Sequence, residues 1–381
     1  MDTPDIGAPV VPSRTAAPAQ QATPEPGTSW ILPISIAGGL ILIVGAAVAA
    51  YFLLFASAPQ QATAPKLVRI GLTLDTLKIQ RWADERDIMA AKAQKMGATV
   101  TTLSAEGDDA TQIAQIENFI AQKMDVIIVV AHDAAAVAPV ISEAQKAGIK
   151  VIDYDRLTSN GTPDLYLSFD SVKVGQIAAK YVVDAIPTEK KVPRIAYVGG
   201  STTDKNSYYV LDGAMGVLKP LEKDGKLKIV YNEFTKDWSP SEAYANFKKF
   251  LDGGDTVDGV VTAYDGLAYG VVQALAEHHL DGKVPVSGQN GELQAIQRIV
   301  QGTQTVTAYK PGKPLAEKTI EAAVDFANGK KPETNGTINN GTADIKAYLF
   351  DPIPVTKDNV RDTVIKDGTF TEAQVYGKSA Q

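Results

Sequence analysis

From Lys66 onward, short apolar runs alternate with amphipathic stretches. Residues 67–74 (LVRIGLTL) and 125–131 (DVIIVVA) are mostly apolar and lack regular polar alternation, as expected of strands covered on both faces of a parallel sheet, and 150–155 (KVIDYD) reads as the next strand. The intervening segments 81–96, 111–123 and 135–147 read as helices. In the second, Ile113, Ile116, Phe119 and Ile120 fall on one stripe. Residues 98–104 and 165–170 predict further strands, and 172–186 a helix. The rhythm then restarts, with strands at 194–200, 228–234, 259–264 and 284–290 and helices near 207–221, 240–251, 267–278 and 293–301. Two successive βαβ series predict an α/β fold of two doubly wound, parallel-sheet lobes.

The first 65 residues break this pattern. Residues 1–29, rich in Pro, Ala, Thr and Gln, predict a disordered tail. Trp30 to Phe55 carries no charge, and at about 1.5 Å per residue it is long enough to cross a hydrocarbon layer of about 30 Å. A transmembrane anchor is therefore expected over residues 30–56, in contact with the lipid bilayer, with a flexible tether over 57–65. The rival reading is a secretory signal cut near Ala58, but the apolar stretch is long for one and Pro59 follows the cleavage-like Ala56-Ser57-Ala58.

The 381 residues carry a formal net charge of −7, which argues against nucleic acid as a partner. The absence of cysteine excludes disulfides, thiolate metal sites and a cysteine nucleophile, and His132, His278 and His279 show no metal-ligand spacing. Neither a metal nor a cofactor is expected. No catalytic Ser-His-Asp set or phosphate loop is apparent, so the chain reads as a non-enzyme.

In open α/β sheets ligands sit beyond the carboxyl ends of strands. Those ends here carry Asp75, His132, Asp133, Asp155, Arg156, Ser201, Asp204, Trp238, Asp265, Gln289 and Asn290. Carboxylates, amides and cations can hydrogen-bond hydroxyls, and an indole face can cover the C–H side of a sugar ring. Each such residue could equally cap a helix, and Asp155 and Arg156 could simply pair with each other. Three Asn-Gly-Thr sequences, at Asn160, Asn335 and Asn340, match a glycosylation acceptor but read as tight turns.

Between Lys66 and Asp367 the sequence resembles the periplasmic sugar-binding proteins of ABC importers, most closely the D-xylose-binding group. The resemblance is carried by IGLTLDTLKIQRWADERD (70–87), GIKVIDYDRL (148–157), VGGSTTDKNS (198–207), VVTAYDGLAYGVVQAL (260–275), SGQNGELQAIQRI (287–299) and GTQTVTAYKP (302–311). It implies a type I periplasmic-binding-protein fold, a hinged clamp that closes on one monosaccharide. The expected lobes are 66–170 plus 304–331 and 171–303 plus 332–381, with hinge crossings near 168–172, 300–306 and 329–333. The sugar contacts it implies are Arg81, Trp82, Asp155, Arg156, Asp204, Asn206, Trp238 and Lys310. Two positions depart from the group's pattern: Tyr264, before Asp265, replaces an Asn, and Asn290 replaces an Asp. Both, with Asp265, join the candidate ligand-binding set.

The implied function is extracytoplasmic delivery of D-xylose or a related aldose to an ABC permease by a monomeric body. The alternative is sensor input to a partner kinase. A sugar-responsive transcription regulator shares the two-lobed body but needs an N-terminal DNA-binding motif, where this chain has a Pro/Ala tail and an apolar run.

Overall fold

The computed structural model describes residues 50–51 and 67–377. The expected tail, the tether and all of the expected membrane span except Ala50 and Tyr51 lie outside the described residues. Among the described residues no helix is long and apolar enough to cross a membrane.

The first lobe is laid down by β1 (Val68–Leu74), α1 (Gln80–Lys95), β2 (Ala98–Ser104), α2 (Asp109–Ala121), β3 (Val126–Val129), α3 (Ala138–Lys146), β4 (Lys150–Tyr154) and β5 (Leu165–Phe169). The second follows with α4 (Ser171–Asp184), β6 (Arg194–Gly199), α5 (Lys205–Lys223), β7 (Lys228–Phe234), α6 (Pro240–Asp252), β8 (Gly259–Thr262), α7 (Asp265–Glu277), β9 (Ser287–Asn290), α8 (Leu293–Gln301) and β10 (Val306–Tyr309). The chain closes with α9 (Gly312–Ala327), β11 (Gly336–Asn339), β12 (Asp344–Phe350), β13 (Ile353–Val355) and α10 (Glu372–Tyr376). Strands β3, β5 and β8 are buried along their whole length, as the unbroken apolar runs predict.

The first sheet has seven strands in the order β11-β12-β5-β4-β3-β1-β2. The second lobe holds two three-stranded sheets, β7-β6-β8 and β13-β10-β9, joined by the single bridge Val260–Val286. This order corrects the expected lobe boundaries. Strand β10 pairs with β9 and so belongs to the second lobe, while β12 pairs parallel with β5 and carries residues 336–350 into the first. The chain therefore crosses between sheets after β5, between β10 and α9, and between β12 and β13, not at 300–306 or 329–333. A hairpin was hidden in the polar stretch 332–347. Asn340-Gly341 forms its turn, with Gly341 at φ 94°, whereas Asn335 brackets Leu349 by two side-chain bonds just before β11.

Helix starts follow local chemistry. Asp108, Asp170, Asp204 and Ser239 each accept a backbone N–H from the first turn of the helix they precede. Helices α4 and α5 pack closely because glycines face backbone across the contact. A Cβ on Gly175 would lie 2.0 Å from the Val210 carbonyl oxygen, and one on Gly213 would lie 2.0 Å from that of Val172. Backbone cannot swing aside as a side chain can, so Gly175→Ala is expected to lower the chemical-denaturation midpoint by an amount equivalent to about 2 kcal/mol or more. Gly216→Ala, in the partner helix α5 with open space around it, is expected to leave the midpoint unchanged or raise it.

Candidate functional site

The carboxyl ends of strands in both lobes face one small cleft, where open α/β sheets place their ligands. The first lobe contributes Ile79, Arg81, Trp82, Asp155 and Arg156. The second contributes Asp204, Asn206, Trp238, Tyr264, Gln289 and Asn290. Lys310 stands where the chain leaves β10 to return to the first lobe.

Arg81 organises one wall. Its Nε donates to Glu85 Oε1 at 2.6 Å, and Nη1 donates to Asp155 Oδ2 at 2.8 Å. The Tyr154 hydroxyl holds the other Glu85 oxygen at 2.5 Å, and the guanidinium lies 4.7 Å from the Trp82 ring centroid. Burial works to raise the Asp155 carboxyl, yet Arg81 and Lys310, whose Nζ lies 3.9 Å from Oδ2, hold it at about 2. Burial also draws the Lys310 ammonium below its ordinary range.

The second array spans the lobes. Arg156 Nη1 donates to Asp75 Oδ2 at 2.8 Å and to the Ala131 carbonyl at 2.9 Å, and its Nε lies 3.1 Å from Asp204 Oδ2. His132 Nδ1 meets the other Asp75 oxygen at 2.7 Å, a bond that raises the imidazole pKa. Asp155 and Arg156, though adjacent, thus take different partners. Asp204 combines two roles weighed from the sequence, since it caps α5 and also lines the cleft. Asn206 Nδ2 donates 2.8 Å to the Asp155 carbonyl, a further bond between lobes.

In this array Arg81, Arg156 and Lys310 face Asp75, Glu85, Asp155 and Asp204. Each cation already has a carboxylate within 4.0 Å, so little attraction remains for a charged ligand. What remains is hydrogen bonding. Buried Arg81 Nη2, Trp82 Nε1, Trp238 Nε1 and Gln289 Oε1 have no hydrogen-bond partner, and all four belong to cleft-lining residues. Leaving such groups unmade costs about 1–3 kcal/mol each.

Backbone strain collects here as well. Asp155, Trp238 and Asn290 adopt φ of 61°, 56° and 94°, a region costing about 1–3 kcal/mol for a non-glycine residue and concentrated at functional sites. The Gly200 position lets the Trp238 ring approach, since an added Cβ would lie 2.2 Å from its Cη2.

Asp265 is placed differently from the expectation. It is fully buried and does not line the cleft. Its Oδ2 accepts the Gly291 and Glu292 backbone N–H groups at 2.8 and 3.0 Å, and its Oδ1 accepts from Gln304 Nε2 at 2.9 Å. It therefore shapes the loop that presents Asn290. Burial raises its carboxyl to about 6, against the pull of those bonds. Two contributors were not singled out from the sequence. Ile79 lines the cleft, as does the strand-end residue Gln289, and Glu292 accepts the Tyr264 hydroxyl at 2.7 Å while burial and Asp265 raise its carboxyl to about 7. Gln289 stood at a strand end and was legible as a candidate. Glu292, beyond the strand end, gave no signal.

The family described as periplasmic binding protein domain matches residues 70–331. The chain belongs to that family. It is 44% identical over 312 residues to the D-xylose-binding periplasmic protein of Haemophilus influenzae, covering 82% of this chain and 93% of that protein. It is 40% identical over 311 residues to the D-xylose-binding periplasmic protein of Escherichia coli, covering 81% and 93%. An ABC-transporter solute-binding protein from Clostridium phytofermentans, solved with bound β-D-glucose, superposes with a TM-score of 0.75 at 26% identity, covering 81% of this chain and 99% of that one. The family is one of solute-binding proteins. Among the described residues no group of three or more His, Cys, Asp or Glu is arranged to hold a metal.

The ion pairs predict a pH dependence. Asp155, held at about 2 against an ordinary 3.8, contributes stability that is present above pH 4 and lost as pH falls toward 2. Asp155→Asn, which tolerates the same backbone conformation, is expected to cost about 2 kcal/mol near neutrality. The gap to the parent should close between pH 4 and 2 in denaturation midpoints taken across that range.

Proposed function

We propose that the chain is an extracytoplasmic monosaccharide-binding protein for D-xylose or a closely related aldose, delivering it to an ABC importer. The observation that carries this reading is the set of orphaned polar atoms on Arg81, Trp82, Trp238 and Gln289 in a cleft whose charges are already paired. Three N–H donors and one acceptor suit a neutral polyol, whose hydroxyls both accept and donate. The printed functions of the two D-xylose-binding relatives support the sugar class.

In this reading Arg81, Asp155, Arg156, Asp204, Asn206, Asn290 and Lys310 bond sugar hydroxyls, while Trp82 and Trp238 cover ring faces. The three crossings between sheets act as hinges. Sugar shifts the balance toward closure by its extra affinity for the closed state, adding bridges between lobes to those of Arg156 with Asp204 and Asn206 with the Asp155 carbonyl. The charge-free length of Trp30 to Phe55 supports a membrane tether, which fractionation of the full chain would test.

Titration calorimetry is expected to show saturable one-to-one binding of D-xylose. Trp238→Ala is expected to weaken it by about 2–4 kcal/mol, roughly 30-fold or more. Absence of heat with every common aldose, or an unchanged dissociation constant in the variant, contradicts the proposal.

A further inference from the structure

We infer that Tyr264, held in place by Glu292, is the specificity-determining residue of the cleft, admitting an aldopentopyranose and rejecting the aldohexopyranose that differs by a hydroxymethyl group. This inference rests on the sugar-binding reading above and deepens it.

The geometry at Tyr264 is constrained from three sides. Its hydroxyl donates to Glu292 Oε1 at 2.7 Å, which occupies its hydrogen. Beneath the ring lies Gly266, where an added Cβ would sit 2.4 Å from Tyr264 Cε1, so the helix start leaves room for the ring only because that residue is glycine. Across from it, Trp238 meets the ring edge-on, at 6.1 Å between centroids and 89° between planes. The two rings form a corner in the second lobe's wall. Glu292 is itself fixed, its backbone N–H donating to Asp265 at 3.0 Å as α8 begins. Glu292 acts through Tyr264 and is a positioning residue.

The chemistry of the walls is uneven. Arg81, Asp155, Arg156, Asp204, Asn206 and Lys310 are bonded or paired with one another and so crowd charged and amide groups together. Tyr264 offers mainly ring carbon, because its hydroxyl proton is already donated to Glu292. A pyranose placed with its hydroxyls on the polar wall must turn its least polar edge to the ring. In an aldopentopyranose one ring carbon bears only hydrogens, and that edge matches. In an aldohexopyranose the same carbon carries a hydroxymethyl, which would meet the Tyr264 ring sterically. Discrimination by such a group is worth about 10–200-fold.

The test is calorimetric titration of D-xylose and D-glucose into the parent and four variants of the full chain. The parent is expected to prefer xylose by about 10-fold or more. Tyr264→Asn is expected to reduce that preference severalfold, chiefly by tightening glucose. Tyr264→Phe, which keeps the ring and loses only an occupied hydroxyl, is expected to preserve it. Glu292→Ala is expected to erode the preference, and Glu292→Gln, which can still accept the hydroxyl, to restore it. A merely structural role would move both sugars together and leave the ratio alone. A ratio unchanged in Tyr264→Asn, or altered in Tyr264→Phe, overturns the inference while the sugar-binding reading stands. Binding of neither sugar by the parent removes that reading, and this inference falls with it.

Discussion

The cleft depends on charges buried in pairs. Arg81 lies between Glu85 and Asp155, and Arg156 lies between Asp75 and Asp204, all of them largely removed from water. Burying an ion is costly, and only close pairing with full hydrogen bonding offsets it. That requirement explains much of the surrounding architecture. The Tyr154 hydroxyl and His132 complete the carboxylates, the Ala131 carbonyl completes a guanidinium, and the strained backbone at Asp155 holds its carboxylate between Arg81 and Lys310. Neutralised within the protein, the array presents a ligand with directional donors and acceptors but little net charge.

The same array couples recognition to shape. Asp75, Arg81, Asp155 and Arg156 belong to the first lobe and Asp204 and Asn206 to the second, so the bonds that complete the cleft are also bonds between lobes. Lys310 sits at a crossing, its Nζ 3.9 Å from Asp155 Oδ2. In the proposed reading, a sugar that satisfies the remaining polar atoms in this arrangement favours it over a separated one by its extra affinity for it.

Much of the fold was legible because burial on both faces of a parallel sheet leaves unbroken apolar runs, as in β3 and β8. The return of residues 336–350 to the first sheet was not. Strand β11 is largely exposed, and the short apolar run of β12 does not say which sheet it joins, because that is fixed by pairing with β5, about 180 residues away in the chain. Most of the cleft could be read from polar residues following strands. Asp265 misled because a carboxylate at a strand end serves equally well as a fastening for a neighbouring loop. Glu292 escaped notice because its importance comes from the Tyr264 hydroxyl, a contact visible only in three dimensions. Tyr264 itself was readable as a departure from the related sequences, but not as a ring whose polar end is already engaged.

The central claim is that the orphaned atoms of the cleft are satisfied by sugar hydroxyls. A crystal structure of the protein grown with D-xylose tests it most directly. One sugar is expected between the lobes, with oxygen atoms about 2.7–3.2 Å from Arg81 Nη2, Gln289 Oε1 and an indole N–H of Trp82 or Trp238. A sugar bound elsewhere, or one in the cleft that leaves those atoms without partners, would contradict it.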